Sequence, residues 1–470
     1  EMPLWQDNNT LTRTRHSAKA RRLLEGEWQN DLTIEISQRF SALRTSNIGK
    51  PDMSSNIFKQ TTQAQCALYT EAPTVTNDAD ISALTQNGGL LDRSGIWALM
   101  AKVQYYTIGM RECFLRVDIN EAQTGLVYRI VTTDMVEAFS TLDNPQIPVI
   151  VKEMRLRFNQ KTQEQEWTLD IFDVSNPQTP IYQIHSYSSS KAKWLDASSA
   201  YLEQDQSGDN YPYRSNDGTP YIPYSLYHAQ ANSKLFDAHY NNEIIEGSLG
   251  SAVMYSYFVH LARDSAHPQR WLMGVTAAGV VVQNTDNSKQ NAYIETDATS
   301  IMMLVPNVEE GSGVQPQIGQ FKAGAELDKL LEAITAYESH LVALAGLNPA
   351  DVQKGGGDPR SGYAISISRS SLREVQRKYK PSFYQSDINT LEISVKMANT
   401  YLSQALPESG YMIKYYNIPL SPEEQKGLID DLERQTNLGY ISPVDAVMIL
   451  NPEYDRAKAI EHLRQVKSEQ

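Results

Sequence analysis

"LNPADVQKGGGDPRSGYAIS", residues 347–366, joins two periodic stretches through three adjacent glycines. Upstream, Leu327, Leu330, Leu331, Ile334, Tyr337, Leu341 and Leu344 mostly step three or four residues apart, which predicts an amphipathic helix over 324–346. Downstream, Leu372, Val375, Tyr379, Ile388, Leu391, Val395 and Leu402 predict a second helix over 363–405. At ~1.5 Å per residue it would be roughly 60 Å long. Pro381 lies inside it and predicts a kink, because proline removes a ladder hydrogen bond. The loop between the helices has three readings: a phosphate cradle, a hinge, or a protrusion into a space where something passes. A phosphate loop follows a strand and closes with Gly-Lys-Ser/Thr, so that the lysine reaches the phosphates. Here a helix comes first, Lys354 precedes the glycines, and the turn closes as Ser361-Gly362-Tyr363. The nucleotide reading fails.

Before this region, 243–264 predicts another helix, kept thin by Gly247, Ser248, Gly250, Ser251 and Ala252 so that a neighbour can approach closely. Residues 271–320 hold two strand candidates, "VTAAGVVVQ" (275–283) and "SIMMLVP" (300–306), and read as a small mixed insertion. Earlier still, "RECFLRVDI", "GLVYRIVT", "KEMRLRF" and "EWTLDIFDV" are rich in alternating, β-branched or aromatic residues between polar turns. They predict an antiparallel β region over 110–190. The Tyr-, Pro- and Ser-rich stretch 196–225 reads as a long surface loop.

Residues 95–109 predict a helix, and 16–40 another, with Leu23, Leu24, Trp28, Leu32, Ile36 and Phe40 on its apolar side. The basic entry to the latter (Arg13, Arg15, Lys19, Arg21, Arg22) reads as a solvated face, with phosphate contact the sharper alternative. At the other end, "SPEE" (421–424), "SPVD" (442–445) and "NPEY" (451–454) each place a capping side chain before a first-turn proline. They predict a terminal bundle of short helices.

The chain has 470 residues, 42 basic and 56 acidic, for a formal charge of −14. Tight nucleic-acid binders are basic where they grip, because neutralised phosphates supply the affinity. This balance therefore argues against a tight nucleic-acid binder but does not exclude a protein that handles DNA without holding it. Cys66 and Cys113 make no disulfide framework. No stretch reads as a signal peptide, and 244–262 is too polar for a membrane span. The eight histidines show no metal spacing, and neither GxGxxG nor GxSxG occurs. The expectation is a protein without catalytic residues, metal or cofactor.

From about residue 100 to 470, the order of elements resembles the portal proteins of tailed bacteriophages. "EIIEGSLGSAVMYSYFVHLARDSAHPQRWLMG" (243–274) looks like the family's first stem helix and its entry to the clip. "AGLNPADVQKGGGDPRSGYAISISRSSLREVQRKY" (345–379) looks like the tunnel loop and the start of the long helix, with Ser361-Gly362-x-Ala364 at a step many portals share. "GLIDDLERQTNLGYISPVDAVMILNPEYDRAKAIEHLRQVKSE" (427–469) is similar to the crown.

The resemblance implies an α+β portal fold: a mixed α/β wing, a helical stem, a small α/β clip and a helical crown, arranged as a ring around a channel. The wing would comprise 1–243 and the long kinked helix region 363–419. The stem helices would be 244–264 and 323–346, the clip 265–322, the tunnel loop 347–362 and the crown 420–470. Usually twelve copies form the ring at one capsid vertex, through which double-stranded DNA is packaged and ejected without sequence-specific contact. The implied partners are the terminase large subunit, the major capsid and scaffolding proteins, and a head-tail adaptor, with no membrane. The implied location is the virion, after assembly in the host bacterial cytoplasm. The loop residues Lys354, Gly355, Gly356, Gly357, Arg360, Ser361 and Gly362 would meet DNA, Lys354 and Arg360 through charge. Glu326, Asp328, Glu332 and Glu338 would form an acidic stem wall that repels a moving polyanion, with Asp328 and Glu332 sharing one helix face. The rival readings are the packaging ATPase, excluded by the missing phosphate loop, and a structural capsid or tail-adaptor ring without a DNA-facing loop.

Overall fold

Period-two sequence folds here as two antiparallel sheets, and period-3.6 sequence as the helices that flank and follow them. The computed structural model describes the chain except residues 1–7, 40–49, 121–123, 160–162, 189–190, 192, 202–210, 237–241, 267–269, 274, 278–303, 307–316, 321–325, 353–361, 417–421, 452–453, 455 and 470. In chain order the first elements are α1 (Asn8–Glu25), α2 (Gln29–Arg39), α3 (Ile57–Ala64), β1 (Thr74–Thr76) and α4 (Ile96–Met110). Strands β2 (Glu112–Ile119), β3 (Leu126–Thr132), β4 (Val136–Ser140), β5 (Pro148–Asn159), β6 (Glu164–Asp173), β7 (Ile181–Ser188), β8 (Lys193–Asp196) and β9 (Tyr224–His228) follow. Helix α5 (Asn242–Ala266) leads to β10 (Arg270–Met273), β11 (Val275–Ala277), β12 (Leu304–Pro306) and β13 (Gln317–Gln320). The rest is α6 (Leu327–Leu344), α7 (Gly362–Tyr401), β14 (Met412–Lys414), α8 (Pro422–Asn437), α9 (Pro443–Leu450) and α10 (Arg456–Glu469), with short helical turns between some of these. The class is α+β. The chain divides into two units: 1–28 with 57–245 and 341–470, and 29–56 with 246–340. Segment 29–56 thus groups with the insertion-bearing helices rather than with the β region.

In the first unit, β4-β5-β6-β7-β8 form one sheet and β3-β2-β9 another. Register places Ala138, Val151, Phe172 and Tyr182 in one cross-strand row, all buried. Phe172 stacks on Tyr182 with centroids 4.4 Å apart. The next row on that face is Val136, Glu153, Asp170 and Ile184, which brings two carboxylates into the interior. The Tyr-rich stretch is no surface loop where it is described. Tyr211, Tyr213, Ile222 and Tyr224 are buried, with Tyr224 edge-on to Phe172. Large amphipathic rings do not stay in water when an apolar sheet face lies beside them.

Helix α7 crosses the three-stranded sheet and is fastened by hydroxyls as well as apolar contacts. Ser382 donates to the carbonyl of His228 at 2.7 Å, Ser386 to that of Leu226 at 2.8 Å, and Ser225 to that of Ser386 at 2.9 Å. Tyr379, Phe383, Leu391 and Val395 are buried beside them. Pro381 stands inside the helix, which continues through it. The helix ends at Tyr401, short of 405, where Ser403 takes a positive φ of 50° and Gln404 N–H returns to the Ala398 carbonyl.

The stretch 16–40 is two helices, not one. Gly26, with φ 88°, lets Glu27 N–H bond back to the Arg22 carbonyl, a left-handed stop that ends α1. Its basic face is neither solvated nor aimed at phosphate throughout. Arg13 donates to the carbonyls of Thr133 and Val136, and Arg21 to Asp134 at 2.9 Å. At the C-terminal end, Ser442 and Asp445 form a reciprocal capping box on α9, and Pro422 opens α8. The third device differs: Asn451 closes α9, its side chain donating to the Val447 carbonyl, and α10 starts only at Arg456.

In the second unit, β10 pairs with β13 (Arg270↔Gln320) and β11 with β12 (Val275↔Pro306), all antiparallel. The two ends of the inter-helix segment are therefore closed upon each other. The two strand candidates, 275–283 and 300–306, contain β11 and β12; β10 and β13, four residues each, lie outside them.

Candidate functional site

Residues 353–361 lie outside the described residues, and with them Lys354, Gly355, Gly356, Gly357, Arg360 and Ser361. Gly362 is the first residue of α7. The four acidic candidates lie on or beside α6 and separate into two groups. Glu326, just before the helix, is exposed and ion-paired with Lys329. Asp328 and Glu332 are exposed and line one open groove on the helix with Leu331, Thr335, Ala336 and Ser339. These positions recur every three or four residues, so they make one continuous face, acidic at its start and hydroxyl-bearing at its end.

Glu338 is a correction. It is buried, on the same side of α6 as Ile334 and Leu341, because positions i, i+4 and i+7 share a helix face. Its carboxylate accepts the hydroxyls of Ser251 (2.7 Å) and Ser55. It cannot line a channel in this packing. The small residues of α5 explain why it fits. Ser248, Ser251 and Ala252 are each fully buried, and Ser256 binds the backbone N–H of Asp52 at 2.8 Å. A larger side chain at 251 would displace the carboxylate. Sequence reasoning marked the thin helix but not the acid it receives, since nothing in the chain sequence links residue 251 to 338.

Two buried polar centres of the first unit were also missed. Asp387 on α7 accepts Tyr69 (2.8 and 2.9 Å), Tyr227 (2.9 Å) and Tyr415 (2.5 Å). One carboxylate thus ties α7 to β9 and to the segments after α3 and β14. Burial pushes Asp387 up to about 6, partly offset by the three hydroxyl donors. Burial also raises all three tyrosines, and the charge of Asp387 raises them further, so they act as hydrogen-bond donors rather than acids.

The second centre is Arg116 of β2. It bonds Glu153 and Asp170 at 3.0 Å each and contacts Asp118 at 3.2 Å, while its guanidinium lies 5.1 Å from the Phe172 ring centre. Burial works against ionising Glu153, but Arg116 and Arg129 outweigh it and hold the carboxyl below its ordinary range. Both centres fasten elements to each other. Burial likewise raises the Cys66 thiol to about 12 and raises Cys113, so neither offers a thiolate.

Among the described residues no group of three or more His, Cys, Asp or Glu is placed to hold a metal ion, and no helix is long and apolar enough to cross a membrane. No protein-family model and no curated protein matches the chain.

Proposed function

We propose that this chain is a portal protein: a subunit of a closed ring, at one capsid vertex, through which double-stranded DNA passes during packaging and ejection. The observation that carries the reading is the path of the chain around its insertion. Helix α5 leads into a segment whose two ends are zipped together by β10 and β13, and α6 follows at once. Within the second unit α5 and α6 lie side by side, held by Ser251 and Glu338. The glycine loop then leads into the 40-residue α7, which returns to the three-stranded sheet. That is the order of stem, clip, stem, tunnel loop and long helix.

The exposed Asp328–Glu332 face of α6 supports a wall that repels phosphate rather than binding it. A polyanion that must slide cannot break a salt link at every step, so a conducting surface is acidic or neutral along most of its length. In this reading the terminase motor and later the head-tail adaptor dock on the insertion, and the loop at 354–360 points to the axis.

Sedimentation velocity of the purified chain at micromolar concentration, with electron microscopy of the same sample, tests the proposal. Subunits of an obligate ring bury ~2,000 Å² or more per interface. The expected result is a closed ring with a through-channel wide enough for duplex. A well-folded monomer as the main species overturns the reading. A ring with 354–360 on its outer surface removes the DNA-facing loop and leaves a structural adaptor ring.

A further inference from the structure

Helix α9 reads PVDAVMIL: Asp445 is its one charged residue and the others are apolar. A helix that is hydrophobic on every side belongs in an interior. In this chain none of its residues is buried, and Ile449 and Leu450 at its end are exposed. Leu438 and Tyr440, between α8 and α9, stand 61 % and 79 % exposed. Over the described residues of 422–469 only Leu432 of α8 and Ala459 of α10 are buried. Two side chains make no core, so the three helices leave apolar surface uncovered along 438–450.

The helices that pack on α9 differ in sign. Helix α8 holds five acidic and two basic residues, α10 four basic and two acidic, so one is net negative and the other net positive. Asp430, Asp431 and Glu433 on α8 and Arg464 and Lys467 on α10 are exposed. None of these five has a partner within the chain among the described residues. Exposed charges need no partner by themselves. Free charges of both signs next to an uncovered apolar stretch, however, have the composition of a protein contact, a hydrophobic centre with a polar rim.

We propose that α8–α10 dock on the same helices of a second copy of this chain, α8 of one copy against α10 of the next, with the apolar residues of 438–450 between them. A partner of one sign would attract one of these helices and repel the other. A second copy brings acid to the base and base to the acid, together with an apolar stretch of its own. A contact between unlike faces of identical subunits is heterologous, and such contacts continue around a closed ring. In this proposal, which rests on the ring reading, the C-terminal helices join each subunit to its neighbour in one direction.

Two charge-reversed full-length chains test this by sedimentation velocity and hydrogen exchange in low-salt buffer. Asp430→Lys with Asp431→Lys makes α8 basic like α10, and Arg464→Glu with Lys467→Glu makes α10 acidic like α8. Each variant alone should associate at least about tenfold more weakly than wild type. An equimolar mixture should recover, because each then meets the sign it lacks, and recovery shows that both variants fold. In wild type the amides of 443–450 should exchange at least about tenfold more slowly in the assembly than in dilute monomer, and Ile449→Asp should abolish that difference. A ring in which 443–450 exchange as fast as in the monomer overturns the proposal and leaves the ring reading standing. Weakened variants that do not recover on mixing overturn it too. A wild-type chain that stays monomeric removes both readings.

Discussion

The carboxylate of Glu338 on α6 receives the hydroxyl of Ser251 on α5 at 2.7 Å, inside the second unit. A buried acceptor of this kind stabilises the pair mainly through what its loss leaves behind. Glu338→Ala removes the acceptor of the Ser251 and Ser55 hydroxyls, which keep only each other at 3.4 Å, and opens a cavity, and is expected to cost about 2–4 kcal/mol. Glu338→Gln keeps an acceptor and should cost less. Asp328→Ala, on the exposed face, should stay within ~0.5 kcal/mol. Urea unfolding of the three variants checks the order. Equal losses at 328 and 338 would contradict the burial that separates them.

Asp387 makes stability depend on pH in a defined direction. Its folded pKa of about 6 lies above the ordinary 3.8, so the folded state holds the proton more tightly. The resulting stabilisation is fully present below pH 3.8 and is lost as pH rises through about 6. Two pKa units correspond to about 3 kcal/mol. Between pH 7 and pH 4, the stability difference between wild type and Asp387→Asn should move towards the wild type by up to that amount. A difference that stays flat over this range would refute the assignment.

Gly109 sits where α1 presses against α4. A Cβ there would stand 2.6 Å from Cδ1 of Leu24 and 3.3 Å from its Cγ, and Leu24 is itself buried. Gly109→Ala should therefore destabilise by about 1–3 kcal/mol despite the better helix propensity of alanine. Gly109→Ala combined with Leu24→Ala should recover part of the clash term. A double-mutant cycle in thermal unfolding measures that coupling.

If the exposed α6 face is the channel wall, Asp328→Lys with Glu332→Lys converts repulsion into attraction. Packaging into preformed heads should then slow or stall, most strongly at low salt, where phosphate contacts tighten. Glu338 does not belong in this experiment, because a lysine there tests folding. Packaging at the wild-type rate at every salt concentration would remove electrostatic repulsion from the proposal.

The proposed loop predicts a separation between assembly and passage. Gly355, Gly356 and Gly357 changed together to alanine should leave sedimentation unaltered while impairing DNA transit, since alanine restricts backbone freedom that glycine keeps. Lys354→Ala with Arg360→Ala should weaken DNA contact and also spare assembly. Loss of assembly in either variant would mean that the segment is part of the core.

Periodicity alone determined the elements with the most residues. The apolar spacing of 327–344 and of α7, and the alternating, β-branched or aromatic runs of β2, β3, β5 and β6, are local patterns, and each formed the type of element it predicts, although Leu331, Tyr337 and Leu344 stay exposed in this chain. The capping box at Ser442 was equally legible, because both partners lie within one helical turn. Packing decided what the period left open. Gly26 ended a helix whose apolar spacing ran on, since a left-handed glycine satisfies carbonyls at once. Tyr213 and Tyr224 went inside because Phe172 and Tyr182 offered them a face, a fact held in other strands. Asp387 gathers hydroxyls from residues 69, 227 and 415, and Glu338 from 55 and 251. A sequence records the charge of such a carboxylate. Whether it faces water or a cage of hydroxyls depends on contacts between residues tens to hundreds of positions apart, and only the tertiary structure brings those together.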